Sequence, residues 1–421
     1  MDNEELKDII FEQEEQFEEQ SKCSNRTIKL DRYIATSLVI VISGVRRCGK
    51  STLLYLIKEK MKLKQGEFLY FNFDDERVPQ DVMFFSKLYN LFKEIYGKEP
   101  VFFFDEVQNI KGWEKFVNRM YEKGRKLFVT GSNARMLSSE IASTLTGRNM
   151  TISLFPFSFD EYLTLKKTKY NLNRLTPTVK NKIKSDFDFY FHNGGFPIVD
   201  KEGDLKVLHS YFQDIFYRDI IARYAITEVE SIKQLALYAM SNIGKLFSYS
   251  TLQKISSIKS RSTIKTYLEY YNQSYLLFYL SKFDYSVKKQ IMNPKKMYVI
   301  DQGFSSQIGF NFSANKGRIL ENVVFLELKR RGKEIYYHSK KNECDFVVKE
   351  GLEIVEAIQV CYDLNFENEK RELAGLIEAV KTYDLETGII LTMDQDKTIE
   401  HKGFEIQLTP VWKWLITNSG E

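Results

Sequence analysis

Gly44-Val-Arg-Arg-Cys-Gly-Lys-Ser51 fits the pattern GxxxxGK[ST], and its two flanks give the pattern its meaning. Upstream, Ser37-Leu-Val-Ile-Val-Ile-Ser43 is a continuous apolar, β-branched run, as expected of a strand buried on both faces. Downstream, Thr52-Leu-Leu-Tyr-Leu-Ile-Lys-Glu-Lys60 reads as a helix. A strand, a glycine-bearing turn and a helix in this order make a phosphate cradle. Glycines let successive backbone N–H groups face an anion, and the helix presents its positive end to it. The spacing predicts that Gly44, Arg46, Arg47, Cys48, Gly49, Lys50, Ser51 and Thr52 line a nucleotide, with Lys50 on the β- and γ-phosphates and the Ser51 hydroxyl on Mg²⁺. Taken alone, the same stretch also reads as a strand-to-helix turn with a lysine in it.

A second stretch removes that ambiguity. Pro100-Val-Phe-Phe-Phe-Asp-Glu-Val-Gln108 is an all-apolar strand that ends abruptly in two acids. By itself the acid pair fits a helix cap, since Asp caps well. Following the glycine-rich turn by about fifty residues, it reads as a Walker B strand, in which Asp105 holds Mg²⁺ through water and Glu106 polarises the attacking water. ATP and Mg²⁺ are therefore the expected cofactors, and ATP hydrolysis is the expected reaction.

The remainder of the first third supplies two further candidates. Lys126-Leu-Phe-Val-Thr130 is another apolar strand, followed by Gly-Ser-Asn133. Asn133 or Ser132 there can touch a γ-phosphate or the attacking water, or can cap a helix expected over 134–145. Arg148, in Thr146-Gly-Arg148 ahead of a fifth strand, is placed to reach a neighbouring subunit's nucleotide as an arginine finger. The plain alternative for Arg148 is a solvated surface charge. A finger acting in trans would make the protein a homo-oligomer.

A chain of 421 residues is too long for one core. Its 61 Lys and Arg against 57 acids give a formal charge of +4, which neither requires nor excludes nucleic acid; any basic surface must be local. Aromatic residues make up 14%, which fits packed domains rather than disorder. The four cysteines, Cys23, Cys48, Cys344 and Cys361, form no CxxC pair, so neither a zinc site nor a disulfide framework follows. With no leader-like segment and no long apolar run, the expected location is cytoplasmic, away from membranes.

Composition and periodicity divide the chain into five segments: an acidic stretch over 1–30, a P-loop α/β core over 31–158, a helical lid over 159–228, and further segments over 229–305 and 306–421. The first, Glu- and Gln-rich, reads as a solvated helix or a docking arm. The core alternates strands at 38–43, 67–73, 100–104, 126–130 and 150–154 with helices, which predicts a parallel sheet covered on both faces. Asn193-Gly-Gly-Phe-Pro197 interrupts the lid as a turn. Three helical patterns and two apolar strands over 229–305 describe a winged helix. Its third helix offers Arg261, Thr263 and Lys265 to a groove, and the loop lysines Lys288, Lys289, Lys295 and Lys296 to phosphates.

The last segment has the order α-β-β-β-α-β, with Glu321 on its first helix and Glu343-Cys-Asp345 in a hairpin. It resembles the PD-(D/E)XK nuclease core, in which a helix Glu, a strand Asp and a Glu-x-Lys on the next strand bind metal and activate water. Here Gln359 stands at the Glu position and Cys361 at the Lys position. No lysine remains to steady the transition state, and cleavage is not expected.

From about Leu30 onward the chain resembles a family of archaeal and bacterial AAA+-type ATPases that join an N-terminal P-loop domain to a winged-helix and nuclease-like half. The matching residues are Gly44 to Ser51, Phe-Phe-Phe-Asp-Glu106, Thr-Gly-Ser-Asn133, Thr-Gly-Arg148 with Leu-Phe-Pro-Phe157, Gly-Gly-Phe-Pro197 and Glu-Cys-Asp-Phe346. The resemblance implies ATP hydrolysis and a DNA transaction, on double-stranded or branched DNA, without naming a substrate. A second class stays open: an ATP-dependent signalling or scaffold protein whose C-terminal half binds protein.

Overall fold

The apolar runs of the first third assemble into one parallel sheet in a computed structural model that describes residues 1–22, 24–133, 145–202, 204–256, 258–309 and 316–417. Its strands are β1 (Val39–Gly44), β2 (Phe68–Asn72), β3 (Val101–Asp105), β4 (Leu127–Gly131) and β5 (Asn149–Leu154), in the spatial order β2-β3-β4-β1-β5. Each lies where the sequence placed it, within a residue or two. The described helices of this unit are α1 (Asn3–Glu18), α2 (Asp31–Ala35), α3 (Lys50–Met61), α4 (Met83–Tyr96) and α5 (Trp113–Glu122). The helix expected over 134–145 lies almost wholly outside the described residues.

Register brings the chemistry to one edge. Asn72 pairs with Asp105, and Ile42 with Thr130, so Asp105, Thr130 and the turn after β1 all lie at the C-terminal ends of their strands. That edge is where open α/β sheets bind ligands. The three phenylalanines of β3 alternate faces. Phe102 and Phe104 pack with Phe85 and Phe116, while Phe103 stacks on Phe128 at 5.1 Å. A strand sandwiched in this way needs apolar residues at every position, which is why its sequence shows no period of two.

The acidic N-terminal helix is not solvated. Leu6, Ile9, Ile10, Gln13 and Phe17 of α1 are buried, at the spacing of a single helical stripe. Asp2 and Glu5 close a capping box at its start. Gln13 donates to the Asn72 carbonyl and accepts from the Asn72 amide, covering the edge strand β2. The Glu-rich composition describes only its outer face.

Contacts divide the chain into two units, Met1–Phe155 and Pro156–Glu421. The second opens with helices Phe159–Leu165, Pro177–Asn193, Pro197–Glu202 and Val207–Gln213, the last running into a π-helix, Asp214–Ala222. Helices Val229–Ser241, Tyr249–Ile255 and Arg261–Gln273 follow, the latter two capped by Ser248 and Ser260. They accompany an antiparallel sheet of β6 (Leu246–Phe247), β7 (Leu277–Ser281) and β8 (Lys295–Val299), ordered β6-β8-β7. The expected polar loop between β7 and β8 contains a short helix, Val287–Met292.

Helix Lys316–Arg330 then precedes β9 (Glu334–Ser339), β10 (Glu343–Glu350) and β11 (Glu353–Val360). Helix Glu369–Thr382, β12 (Thr387–Thr392), β13 (Lys397–His401), β14 (Phe404–Pro410) and helix Val411–Thr417 complete the unit. The six strands are ordered β13-β14-β12-β11-β10-β9. The α-β-β-β-α-β order expected from the sequence is present, with a strand pair and a helix beyond it.

Candidate nucleotide site

The turn after β1 is shaped by what glycine permits. A Cβ on Gly44 would meet the Leu154 carbonyl oxygen at 2.2 Å, and Gly49 has φ +96°, a conformation that side chains disfavour. Arg47 is also left-handed at φ 70° and exposed, whereas Arg46 reaches Asp74 at 3.4 Å. Cys48 is fully buried, and burial pushes its thiol pKa up, which protects it from oxidation. Arg26, unremarked in the sequence, donates to the Cys48 carbonyl at 3.1 Å and to the Phe155 carbonyl at 2.8 Å, fastening the turn from behind.

Lys50 begins α3 and is buried at 5% exposure. Its Nζ lies 3.1 Å from Glu106 Oε1 and donates to the Gly44 and Val45 carbonyls. Burial opposes its charge, but Glu106, Cys48 and Asp105 together outweigh that and its pKa is raised. Burial likewise acts to raise the Glu106 pKa, and Lys50, the Gln108 amide and Arg46 together bring it well below the usual range. The ionised form of Glu106 is thereby favoured, and its backbone is left-handed at φ 51°.

Asp105 is buried at 1% exposure, and its pKa is raised by burial and by the Glu106 charge. The Ser51 hydroxyl hydrogen-bonds to it, Tyr70 donates to its Oδ2 at 3.3 Å, and Thr130 donates to its Oδ1. Thr130 Oγ1 also accepts from the Glu106 amide at 3.0 Å. A hard-ligand pair, the Ser51 hydroxyl and the Asp105 carboxylate, thus converges beside the turn, which suits Mg²⁺. Lys50, Ser51, Asp105 and Glu106 are brought together as the spacing anticipated. Thr130, Tyr70 and Gln108 join them without having been singled out.

Ser132 and Asn133 are buried just beyond β4. Thr52 lies half-buried in the first turn of α3. Arg148 is engaged on α5: its guanidinium donates to Asn118 at 2.6 Å and Glu122 at 2.9 Å, beside the Tyr121 ring.

The second unit holds a cavity of about 780 Å³ lined by Glu321, Glu343, Asp345, Gln359, Cys361 and Glu372, among others. Two expectations fail here. Lys296 is no wing lysine: it is 1% exposed, and its Nζ contacts Glu321 at 2.9 Å, Glu343 at 2.9 Å and Asp345 at 2.8 Å. Nor is the pocket without a lysine, because β8 delivers one from outside the nuclease-like motif. Sequence spacing missed it, since Lys296 follows Lys295 at the end of a polar loop, and a loop lysine is ordinarily solvated. Gln359 donates to Glu372 at 2.6 Å and accepts from the Asp345 amide. Burial pushes the Cys361 thiol pKa up to about 12.

Arg261, Lys265, Lys288 and Lys289 are exposed, while Thr263 is half-buried. Lys295 has its pKa lowered by burial and by the charge of Lys265.

Residues 36–163 match the AAA domain family model, and residues 184–314 match a domain of unknown function, DUF8612. The chain is 35% identical to the uncharacterized protein MJ1544 of Methanocaldococcus jannaschii over 98% of this chain and 96% of that one. It is 30% identical to an uncharacterized protein of Haemophilus influenzae, over 80% of this chain and 85% of that protein. Among solved structures, AMPPCP-bound DnaA from Aquifex aeolicus is similar at a TM-score of 0.26 and 14% identity, covering 56% of this chain and 82% of that one. Thermotoga maritima RuvB is similar at 0.25 and 12%, covering 57% and 81%. None of the described helices is long and apolar enough to cross a membrane.

Proposed function

The chain belongs to the family of the uncharacterized M. jannaschii protein MJ1544, and from that premise we propose that it is a Mg²⁺-dependent ATPase of the AAA+ type whose C-terminal half engages DNA. The observation carrying the first part is the cluster of Lys50, Ser51, Asp105, Glu106 and Thr130 at one edge of the parallel sheet. Lys50 pairs with Glu106. ATP phosphates offer Lys50 a stronger partner, and drawing the ammonium to them frees Glu106 to orient water. Ser51 and Asp105 would hold Mg²⁺, which supplies charge neutralisation on the phosphates. Backbone amides of the turn and the α3 dipole bind the remaining phosphate charge.

The DNA part of the reading draws on exposed Arg261 and Lys265 on the third helix, and on exposed Lys288 and Lys289 between β7 and β8, in a segment whose element order resembles a winged helix. The last segment, nuclease-like in its element order, then serves as a binding rather than a cutting domain. A protein-binding reading draws on exposed Tyr285, Val287, Ile291 and Met292 next to Lys288 and Lys289. ATP turnover measured with and without duplex and branched DNA separates the two. Stimulation that falls steeply with salt, and that is lost when Arg261, Lys265, Lys288 and Lys289 become Ala, supports DNA. Turnover indifferent to every DNA moves the function to a protein partner. Lys50→Ala should abolish tight ATP binding, whereas Glu106→Gln should bind ATP and trap it; a Glu106→Gln variant with wild-type turnover would overturn the catalytic assignment.

A further inference from the structure

We infer that Lys296 is the resident cation of the carboxylate pocket in the second unit, seated where Glu321, Glu343 and Asp345 converge, so that the native protein takes no divalent metal there. An ammonium has three N–H donors. Here each finds a different carboxylate, at 2.9, 2.9 and 2.8 Å. Those are the distances of charge-assisted ammonium–carboxylate hydrogen bonds, about 2.7–2.9 Å. The lysine is 1% exposed, a burial that is unfavourable for a charge unless its partners are this well placed.

Surrounding groups engage some of the same carboxylates. Asp345 Oδ2 accepts the Val360 amide at 3.0 Å, and Tyr298 donates to the same Glu321 oxygen that Lys296 holds. Glu372, which might otherwise add a carboxylate, accepts from Gln359 and pairs with Arg371. Gly244 lets Glu321 lie close: a Cβ there would meet Glu321 Oε2 at 2.6 Å. Strand register fixes the lysine itself, since Lys296 pairs with Leu246 on one side and Leu280 on the other. The three-stranded sheet thus lends its cation to the six-stranded one. Loss of that lysine, rather than restoration of the strand glutamate, is what would open a metal site. This inference is independent of the ATP and DNA readings.

The test is Mn²⁺ uptake by the metal-free, nucleotide-free full chain, with free Mn²⁺ followed by electron paramagnetic resonance. Wild type should leave the Mn²⁺ free. Lys296→Ala should bind one equivalent, and adding Asp345→Asn should abolish it. Because Lys296→Ala leaves buried acids unpaired, a second variant, Lys296→Ala with Glu343→Gln, removes one charge of each sign and should also gain the site. Its melting temperature should rise with Mn²⁺, and that of wild type should not. Stoichiometric Mn²⁺ binding by wild type that Asp345→Asn eliminates would overturn the inference, as would failure of both lysine variants to bind more Mn²⁺ than wild type.

Discussion

At Thr130 one hydroxyl serves two acids, donating to the Asp105 carboxylate and accepting from the Glu106 amide. Valine has the same shape without the hydroxyl, so Thr130→Val leaves a buried carboxylate oxygen and an N–H each without a partner, at about 1–3 kcal/mol apiece. Neither group binds the phosphates. The expected result is a fall in kcat of about ten-fold or more with ATP affinity nearly unchanged, read from steady-state turnover beside equilibrium nucleotide binding. Equal loss of affinity would mean that the hydroxyl merely supports the fold of the turn. Lys50 and Asp105 were legible in the sequence because their chemistry imposes a spacing. Thr130 was not, since a β-branched residue inside a strand already has a sufficient reason to be there. Lys296 was misread for the opposite reason: a lysine beside a polar loop looks solvated until a distant helix and hairpin supply its carboxylates.

Elements couple the core to the site through aromatic contacts. Phe17 of α1 stacks on Tyr70 of β2 at 3.9 Å, and Tyr70 donates to Asp105. Phe17→Ala should cost about 3–5 kcal/mol, as for a buried phenylalanine elsewhere. It should also lower turnover, because Tyr70 loses the surface that orients it; thermal melts and turnover at a temperature where the variant stays folded separate the two effects. The helix itself was legible, but its burial was not, because acidic composition dominates the average while one stripe in four residues does the packing. The Gly-Gly of Asn193–Pro197 was legible as a turn, and its reason is now specific. Gly194 has φ +87°, and a Cβ there would lie 1.8 Å from Asp301 Oδ1. Asp301 cannot retreat, since it accepts from the Gly195 amide at 2.7 Å and the Gly303 amide at 2.8 Å. Gly194→Ala should therefore destabilise by more than about 3 kcal/mol, backbone strain and steric overlap adding. Denaturant unfolding checks it; a change below about 1 kcal/mol would show that the segment shifts freely.

For the molecule as a whole, the first unit was readable almost residue by residue because a buried parallel sheet writes itself as apolar runs broken by polar turns. The second was readable as an order of elements, while its sites depend on pairings between strands far apart in sequence, which no local pattern encodes. For assembly, we propose that Arg148 reaches the nucleotide of a neighbouring subunit. Its ion pair with Glu122 is partly exposed, with side chains 41% and 57% accessible, and such pairs contribute about 0–1 kcal/mol. On that proposal, a γ-phosphate on a neighbouring subunit would compete with Glu122 and Asn118 for the guanidinium. Arg148→Ala should then lose turnover while keeping ATP affinity, and Glu122→Gln, which only loosens the arginine, should not. Mixing inactive Arg148→Ala with inactive Glu106→Gln should restore some turnover. At a mixed interface, the intact Glu106 of one subunit faces the intact Arg148 of the other. Turnover and sedimentation of the mixture with ATP are the measurements. Full activity from a protein that stays monomeric would leave Arg148 as what its ion pair makes it, a surface charge on α5.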